Sequence, residues 1–370
     1  MFRRLLSLLG ASVLLASTAP AAASSLSDAA AALQPGQWRV LNRAGDGTGF
    51  DYNLINACQP GGCYDNILNY ADKAMWNPAL REIEFIGKGH MAEHKHISYS
   101  EATNRWSLRT RPNWACGVEA NCYGMGHGYE HSANNPATGD VYARRQSSGD
   151  VYKWTRATGS WAQLALAPVL EIAIAIEYFP EMGGLLMAGT RNNVGELHIY
   201  RESTKSWSQL AGGLPMGPYH NHASYNPVHK IVVFGGGNGS SQLHKVDAAG
   251  KVTQIASAPI EVRIKTAIFT VDPASGRYLL FGNAGGFYQY DVPTNTWSSV
   301  STANVPLFAP SGERAAYRVA VPISTHGVLA FLVEGGTSDT RELLYRHAPA
   351  APAPPIDTTP PAPPAGLIVK

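Results

Sequence analysis

Three observations predict an all-β fold, a six-bladed β-propeller. A phrase of roughly 45–55 residues recurs six times. The phrase is built only from short strands and turns, and a tryptophan recurs at one place within it. Its clearest part is a strand, a tight turn and that tryptophan: ISYSEATNRW ending at Trp106, YKWTRATGSW at Trp161, HIYRESTKSW at Trp207 and YQYDVPTNTW at Trp297. A degenerate copy, HKVDAAGKV, places Val252 where the tryptophan would stand. A single unit of this kind cannot bury its own hydrophobic face, so neighbouring copies stack as blades around an axis. The 37 glycines and 25 prolines in 370 residues suit a chain that turns this often.

The first 23 residues read as a secretory leader rather than as part of the fold. Arg3 and Arg4 precede a short apolar run, Leu5 to Ala16, and Ala21 and Ala23 form a small-residue cleavage site before Ser24. The run is too short to span a bilayer comfortably, and no later segment reads as a transmembrane helix. The expected location is therefore outside the cell or in the periplasm, with no stable membrane insertion. Loss of two arginines from 29 basic and 27 acidic side chains leaves the mature chain neutral. With no clustered basic excess, nucleic acid is not an expected partner.

The propeller is expected over residues 24–347. The prolines Pro78, Pro136, Pro180, Pro227 and Pro273 recur at near-equal intervals, each marking the hairpin between a first and a second strand. Hydrophobic second strands follow, such as KIVVFGG from Lys230 and RYLLFG from Arg277. A sixth copy, GVLAFLVEGG from Gly327, lacks the proline and has no tryptophan strand after it. GQWRVLN, carrying Trp38, resembles that missing strand, so the N-terminus is expected to complete the last blade and close the ring. Seven blades would require the Gly-, Asn- and Cys-rich stretch from Asn42 to Asn69 to hide one, and its composition argues against this. Cys58, Cys63, Cys116 and Cys122 lie in two close pairs, which in an oxidising compartment are expected to be disulfides. Four cysteines allow three connectivities, with the local pairs Cys58–Cys63 and Cys116–Cys122 favoured over a zinc site. From residue 348 the chain is proline-rich and extended.

Over roughly residues 36–347 the chain resembles the Kelch/galactose-oxidase β-propeller superfamily. The resemblance rests on the glycine runs Gly235-Gly236-Gly237 and Gly335-Gly336, the third-strand aromatics Tyr99, Tyr200, Tyr290 and Tyr345, and the spaced tryptophans. Several blades lack the glycine pair, which leaves a narrower family open. The stretch DTTPPAPPAGLIVK from Asp357 looks like the opening of a fibronectin type III or similar Ig-like module, which suggests a truncated longer protein.

In such a fold the first strand of each blade lines the axial channel, so residues just before the turn prolines are the candidates for chemistry. They are Tyr70, Asp72 and Lys73; His127, Tyr129, Glu130 and His131; Glu171; Tyr219, His220, Asn221 and His222; Arg263 and Lys265; and Arg314, Tyr317 and Arg318. Polar residues at one level of buried strands imply a wet pocket, because unpaired buried polar groups are costly.

The leading expectation is a monomer binding an extracellular or periplasmic glycan, with acidic polysaccharide among the candidates. Aromatic faces would stack on sugars, while Lys73, Glu171, His220, Arg263, Lys265, Arg314 and Arg318 bond hydroxyls or a carboxylate. The alternative is a polysaccharide lyase, with His131, His222, Tyr129 and Tyr219 as general acid–base residues for β-elimination. A protein-interaction scaffold is a third reading. The adjacent Tyr219-His220 prompts a copper-oxidase reading, but the resemblance implies a cysteine–tyrosine cross-link and a further C-terminal histidine that this sequence does not offer. No cofactor and no metal ligand are assigned, with a bound divalent metal left open; His90, His94 and His96 read better as loop residues than as a metal cluster. Blander roles stand beside these, since histidines at repeat-equivalent positions often only bond a neighbouring backbone.

Overall fold

The computed structural model describes residues 25–59, 62–88, 93–112, 115, 127–168, 170–264, 266–307, 317–335 and 339–348. They form six antiparallel blades of four strands each, and the short strand Ala71–Lys73, which leads into blade one, pairs in parallel with the inner strand of blade six as a fifth strand of that sheet. Blade one comprises Met75–Asn77, Glu82–Lys88, His94–Ser100 and Arg105–Arg109, and blade two Ser132–Asn134, Val141–Arg144, Val151–Thr155 and Ser160–Gln163. Blade three follows with Ala175–Phe179, Gly184–Arg191, Val194–Arg201 and Ser206–Leu214. Blade four is Asn221–Asn226, Ile231–Gly236, Leu243–Val246 and Val252–Gln254, and blade five Ala267–Val271, Tyr278–Gly282, Phe287–Asp291 and Thr296–Ser299. Blade six takes Tyr317–Ile323, Val328–Val333 and Arg341–Tyr345, and its outermost strand is Trp38–Arg43 from the N-terminus.

The expected closure is therefore present, and its register matches the other blades. Trp38 lies directly opposite Tyr345, as Trp106 lies opposite Tyr99, Trp207 opposite Tyr200 and Trp297 opposite Tyr290. The Trp38 and Tyr345 rings stack at 4.3 Å. No seventh blade is hidden after Asn42: the described part of that stretch holds the short helix Tyr52–Ile55 and a hairpin, Asn56–Gln59 with Gly62–Asn66. The hairpin backbone sets Cys58 opposite Cys63. Cys116 and Cys122 lie outside the described residues, as do the leader, His90, Gly336 and the proline-rich end. Among the described residues no helix is long and apolar enough to cross a membrane. Helix Leu26–Ala32, capped by the Ser25 side chain, packs Leu26, Ala29 and Ala30 into the core between blades six and one.

The repeated residues turn out to be joints between blades. The indole N–H of Trp161 donates to Thr110 O at 3.1 Å, that of Trp207 to Ala165 O at 2.9 Å and that of Trp297 to Ala256 O at 3.0 Å. Each acceptor follows the outer strand of the preceding blade. The Asn before several turn prolines does the same job at the opposite end. Asn226 accepts from Val228 N and His229 N, closing its own turn, and donates to Gly276 O in blade five. Asn77 likewise donates to Gly139 O in blade two. An Asx side chain that mimics a backbone turn leaves its amide free to reach outward, which is why this residue type suits the position. Gly235, Gly236 and Gly237 all have positive φ, and a Cβ on Gly236 would lie 2.1 Å from Val262 O of blade five. Only glycine permits that approach.

Candidate functional site: the axial channel

Each inner strand runs from one mouth of the channel to its turn proline at the other. At the first mouth, Tyr70, Tyr129 and Tyr219 form a cluster with Ile172, Ala173 and Ile264, so blades one to five all contribute. His127 and His220 join it: the Tyr70 ring lies 4.2 Å from His127 and stacks at 5.8 Å on His220. Tyr70, Tyr129, Tyr219 and His220 have φ of 53°, 44°, 53° and 56°. Left-handed backbone is uncommon for bulky residues and costs of order 1–3 kcal/mol at each site, so such residues persist only where the surroundings hold them.

Below this collar lies a buried charge network. His222 Nδ1 is 2.6 Å from Asp72 Oδ2 and 3.0 Å from Glu130 Oε1. Glu130 Oε2 accepts from Ala223 N at 2.8 Å and lies 3.5 Å from Lys73 Nζ. Lys73 Nζ continues across the axis to Glu177 Oε2 at 3.0 Å and Ile176 O at 2.7 Å. Asp72, Glu130 and His222 are at most 2 % exposed. Burial drives the Asp72 carboxyl up to about 7, against the opposing pull of His222. Burial alone would lower His222, but Asp72 and Glu130 outweigh it and carry the imidazole up to about 10. Burial likewise opposes the charge on Glu130 and on Lys73. Lys73 and His222 overcome it for Glu130, whose carboxyl is lowered, while Glu177 and Glu130 overcome it for Lys73, whose ammonium is raised.

The second mouth opens into a cavity of about 320 Å³. Pro78, Pro136, Pro180, Pro227, Pro273 and Pro322 ring it, while Trp76, Tyr178, Tyr225 and Phe269 form its walls. Asp72, Lys73 and Glu177 lie at its inner end, where the charge network begins.

The sequence-predicted residues divide between these regions. Lys73 and His222 belong to the network, Tyr129, Tyr219 and His220 to the collar. His131, placed by the turn prolines as the equivalent of His222, stands elsewhere: its Nε2 is 3.1 Å from Arg144 Nη1. Arginine only donates, so Nε2 accepts and the His131 proton resides on Nδ1. Burial and the Arg144 guanidinium push His131 well below its usual range. Tyr219 and His220 are both left-handed, whereas Tyr70 and Tyr129 are the single left-handed residues that blades one and two bring to the collar. In blades three and five the residues that join the collar's apolar cluster are Ile172 and Ile264, the chain neighbours of Glu171 and Arg263. Arg263 instead pairs with Glu261 at 3.4 Å, and Arg318 donates to Asn283 Oδ1 at 2.6 Å. Lys265 and Arg314 lie outside the described residues.

Asp72 and Glu130 stood among the rim residues in sequence without a role, and Glu177 and Arg144 were missed. Glu177 breaks an otherwise apolar run, AIAIEYF, and that lone carboxylate in a buried strand was the available signal. Burial brings the Arg144 guanidinium down to about 9.

The strand pairing defines a six-bladed β-propeller with a polar plug in its channel. No protein-family model matches the sequence, and no curated protein matches it. Among 1102 matching chains of solved structures is one from the crystal structure of a nidogen/laminin complex. The two share 8% identity over 64% of this chain and 82% of that one, with a TM-score of 0.46.

Proposed function

We propose that this chain is a ligand-binding propeller that takes the end of a neutral saccharide into its axial cavity. The observation that carries the reading is a blind cavity with aromatic walls and a polar floor. Its 320 Å³ volume suits one or two sugar rings, and pockets for small ligands are commonly apolar with a few convergent polar groups. Trp76, Tyr178 and Tyr225 offer ring faces, and the buried Trp76 Nε1 has no hydrogen-bond partner among the described residues. Lys73, Glu177, Ser224 and Thr270 supply donors and acceptors for hydroxyls. The buried network closes the inner end, so a chain terminus fits where the interior of a polymer would not pass.

The charge of the floor selects among saccharides. Of the charged groups that line the cavity, Asp72 and Glu177 outnumber Lys73, so a uronate would meet more like charge than opposite, whereas neutral hydroxyls find acceptors. Binding is favoured over β-elimination because both candidate bases are committed. His222 Nδ1 faces two carboxylates, and His131 Nε2 accepts from Arg144. The leader-like N-terminus supports an extracytoplasmic setting, where glycans are at hand.

Tryptophan fluorescence and calorimetry against matched panels of neutral and uronate oligosaccharides test this. The expected result is saturable binding of a neutral saccharide. Trp76→Ala and Tyr225→Ala should each weaken it at least tenfold, about 1.4 kcal/mol. Binding confined to uronates, binding indifferent to both substitutions, or no binding across the panels would overturn the reading.

A further inference from the structure

We infer that Asp72, Glu130 and His222 form a binding site for one divalent transition-metal ion at the waist of the channel. The three come from blades one, two and four, and their candidate ligand atoms all lie within 4.8 Å of one another. Zinc held at about 2.1 Å by each donor would space the donors about 3.4 Å apart. The observed separations of 2.6 and 3.0 Å therefore need only small outward shifts of the two carboxylates.

The hydrogen bonds show what the site lacks. The single proton on His222 Nδ1 can point at one acceptor, and it serves Glu130 Oε1. Asp72, 2 % exposed, has its Oδ2 2.6 Å from that same nitrogen, and among the described residues neither of its oxygens has a donor of its own. A buried carboxylate without a hydrogen bond is costly, and a cation shared by three donors answers both acceptors at once. Charge balance is compatible with this: once the ion displaces the proton that the two carboxylates hold on His222, Asp72, Glu130 and Glu177 exceed Lys73 by two negative charges, the charge of one divalent ion.

The surrounding groups hold the ligands in place. Ala223 N and Lys73 occupy Glu130 Oε2, which leaves Oε1 turned to the site. Lys73 is also drawn away by Glu177 and Ile176 O, so its ammonium does not take the central position. Such outer contacts orient metal ligands generally. One imidazole with two carboxylates suits zinc, manganese or cobalt(II) better than calcium, which takes oxygen donors alone. Among the described residues no other group of three such side chains meets this spacing. The site meets the saccharide reading at Asp72, which also borders the cavity and whose charge a bound cation would offset.

The test uses the full chain stripped with a chelator and titrated with cobalt(II), then with zinc. Expected are one cobalt per chain with a visible d–d absorption band, its displacement by zinc, and a zinc-dependent rise in Tm. Asp72→Asn and Glu130→Gln, each nearly isosteric, should weaken cobalt binding at least a hundredfold. Their folding is checked by circular dichroism. If neither variant folds, the wild-type titration decides alone. Failure of the wild-type chain to take up stoichiometric cobalt or zinc overturns the site. So does uptake that survives Asp72→Asn but is lost in a His94→Ala, His96→Ala double variant. Neither measurement involves saccharide, so the two readings fail independently.

Discussion

Lys73 shows how one side chain can hold the centre of a ring. It leaves blade one, crosses the axis and meets Glu177 and Ile176 O of blade three, with Glu130 of blade two and Ala223 O of blade four close by. With 12 % of its side chain exposed, the ammonium has given up most of its water. The network replaces that water with two carboxylates and two carbonyls. Desolvation can cancel the Coulomb gain of such an arrangement, so its worth appears mainly when one partner is removed. Lys73→Met should destabilise the chain by about 3–5 kcal/mol, chiefly because Glu177 and Glu130 are left buried without their cation. Adding Glu177→Gln should recover a substantial part of that loss. Urea denaturation of the wild type, both single variants and the double variant measures the coupling directly. A strictly additive result would mean that the pair does not interact.

Between blades, Trp161, Trp207 and Trp297 bond the preceding blade at a backbone carbonyl, and the ring closure is built differently. There Trp106 of blade one donates to the Glu342 carboxylate of blade six at 3.1 Å, and Asn42 of the N-terminal strand donates to the same oxygen at 2.6 Å. Burial drives the Glu342 carboxyl up to about 7, only partly offset by those two donors. A carboxyl whose folded pKa exceeds its unfolded value binds its proton more tightly in the native state. Its contribution is therefore fully present below about pH 4.5 and is lost as pH rises towards 7. Glu342→Gln keeps an acceptor for Asn42 and Trp106 without the charge. The variant should gain stability relative to wild type as pH rises from 4.5 to 7, as read from Tm. A parallel pH profile for the two proteins would place the titration elsewhere. This joint also marks how far the sequence could be read. The tryptophans, turn prolines and Asx residues recur, and recurrence exposed the blades, their order and the closing strand. Glu342 and Glu177 occur once each, because each answers a partner across an interface that exists only after folding. His131 and His222 were aligned correctly by their prolines and still parted, since one meets Arg144 and the other Asp72 and Glu130, partners that the repeat does not encode.

At the scale of the whole molecule, the ring is closed by pairing between distant parts of the chain. The N-terminal strand supplies the outer edge of blade six, so that blade has the antiparallel four strands of the rest, beside the parallel Ala71–Lys73 on its inner edge, although its chain is cut between the third and fourth. The cut ends remain adjacent: Gly36 N donates to Arg346 O at 2.7 Å, and Arg346 N donates to Gln37 O at 3.2 Å. Arg346 Nη2 also donates to Ala30 O at 2.8 Å, fastening the N-terminal helix against the same place. Without the strand, blade six would present the unpaired groups of Arg341–Tyr345, an invitation to association. Connectivity at this point should therefore be dispensable while pairing is not. A permuted chain that begins at Ala44 and carries residues 25–43 after residue 348, through a flexible linker, tests that distinction. It should fold to a monomer with the far-UV spectrum of residues 25–348 in natural order and a Tm within a few degrees of it. The chain from Ala44 to residue 348 alone should associate or unfold. Adding the missing segment as a separate peptide should restore the monomer, because the edge it leaves is already shaped to receive Trp38 over Tyr345. A permutant that unfolds while the shortened chain stays monomeric would show that continuity of the chain, not pairing at the closure, holds the ring shut.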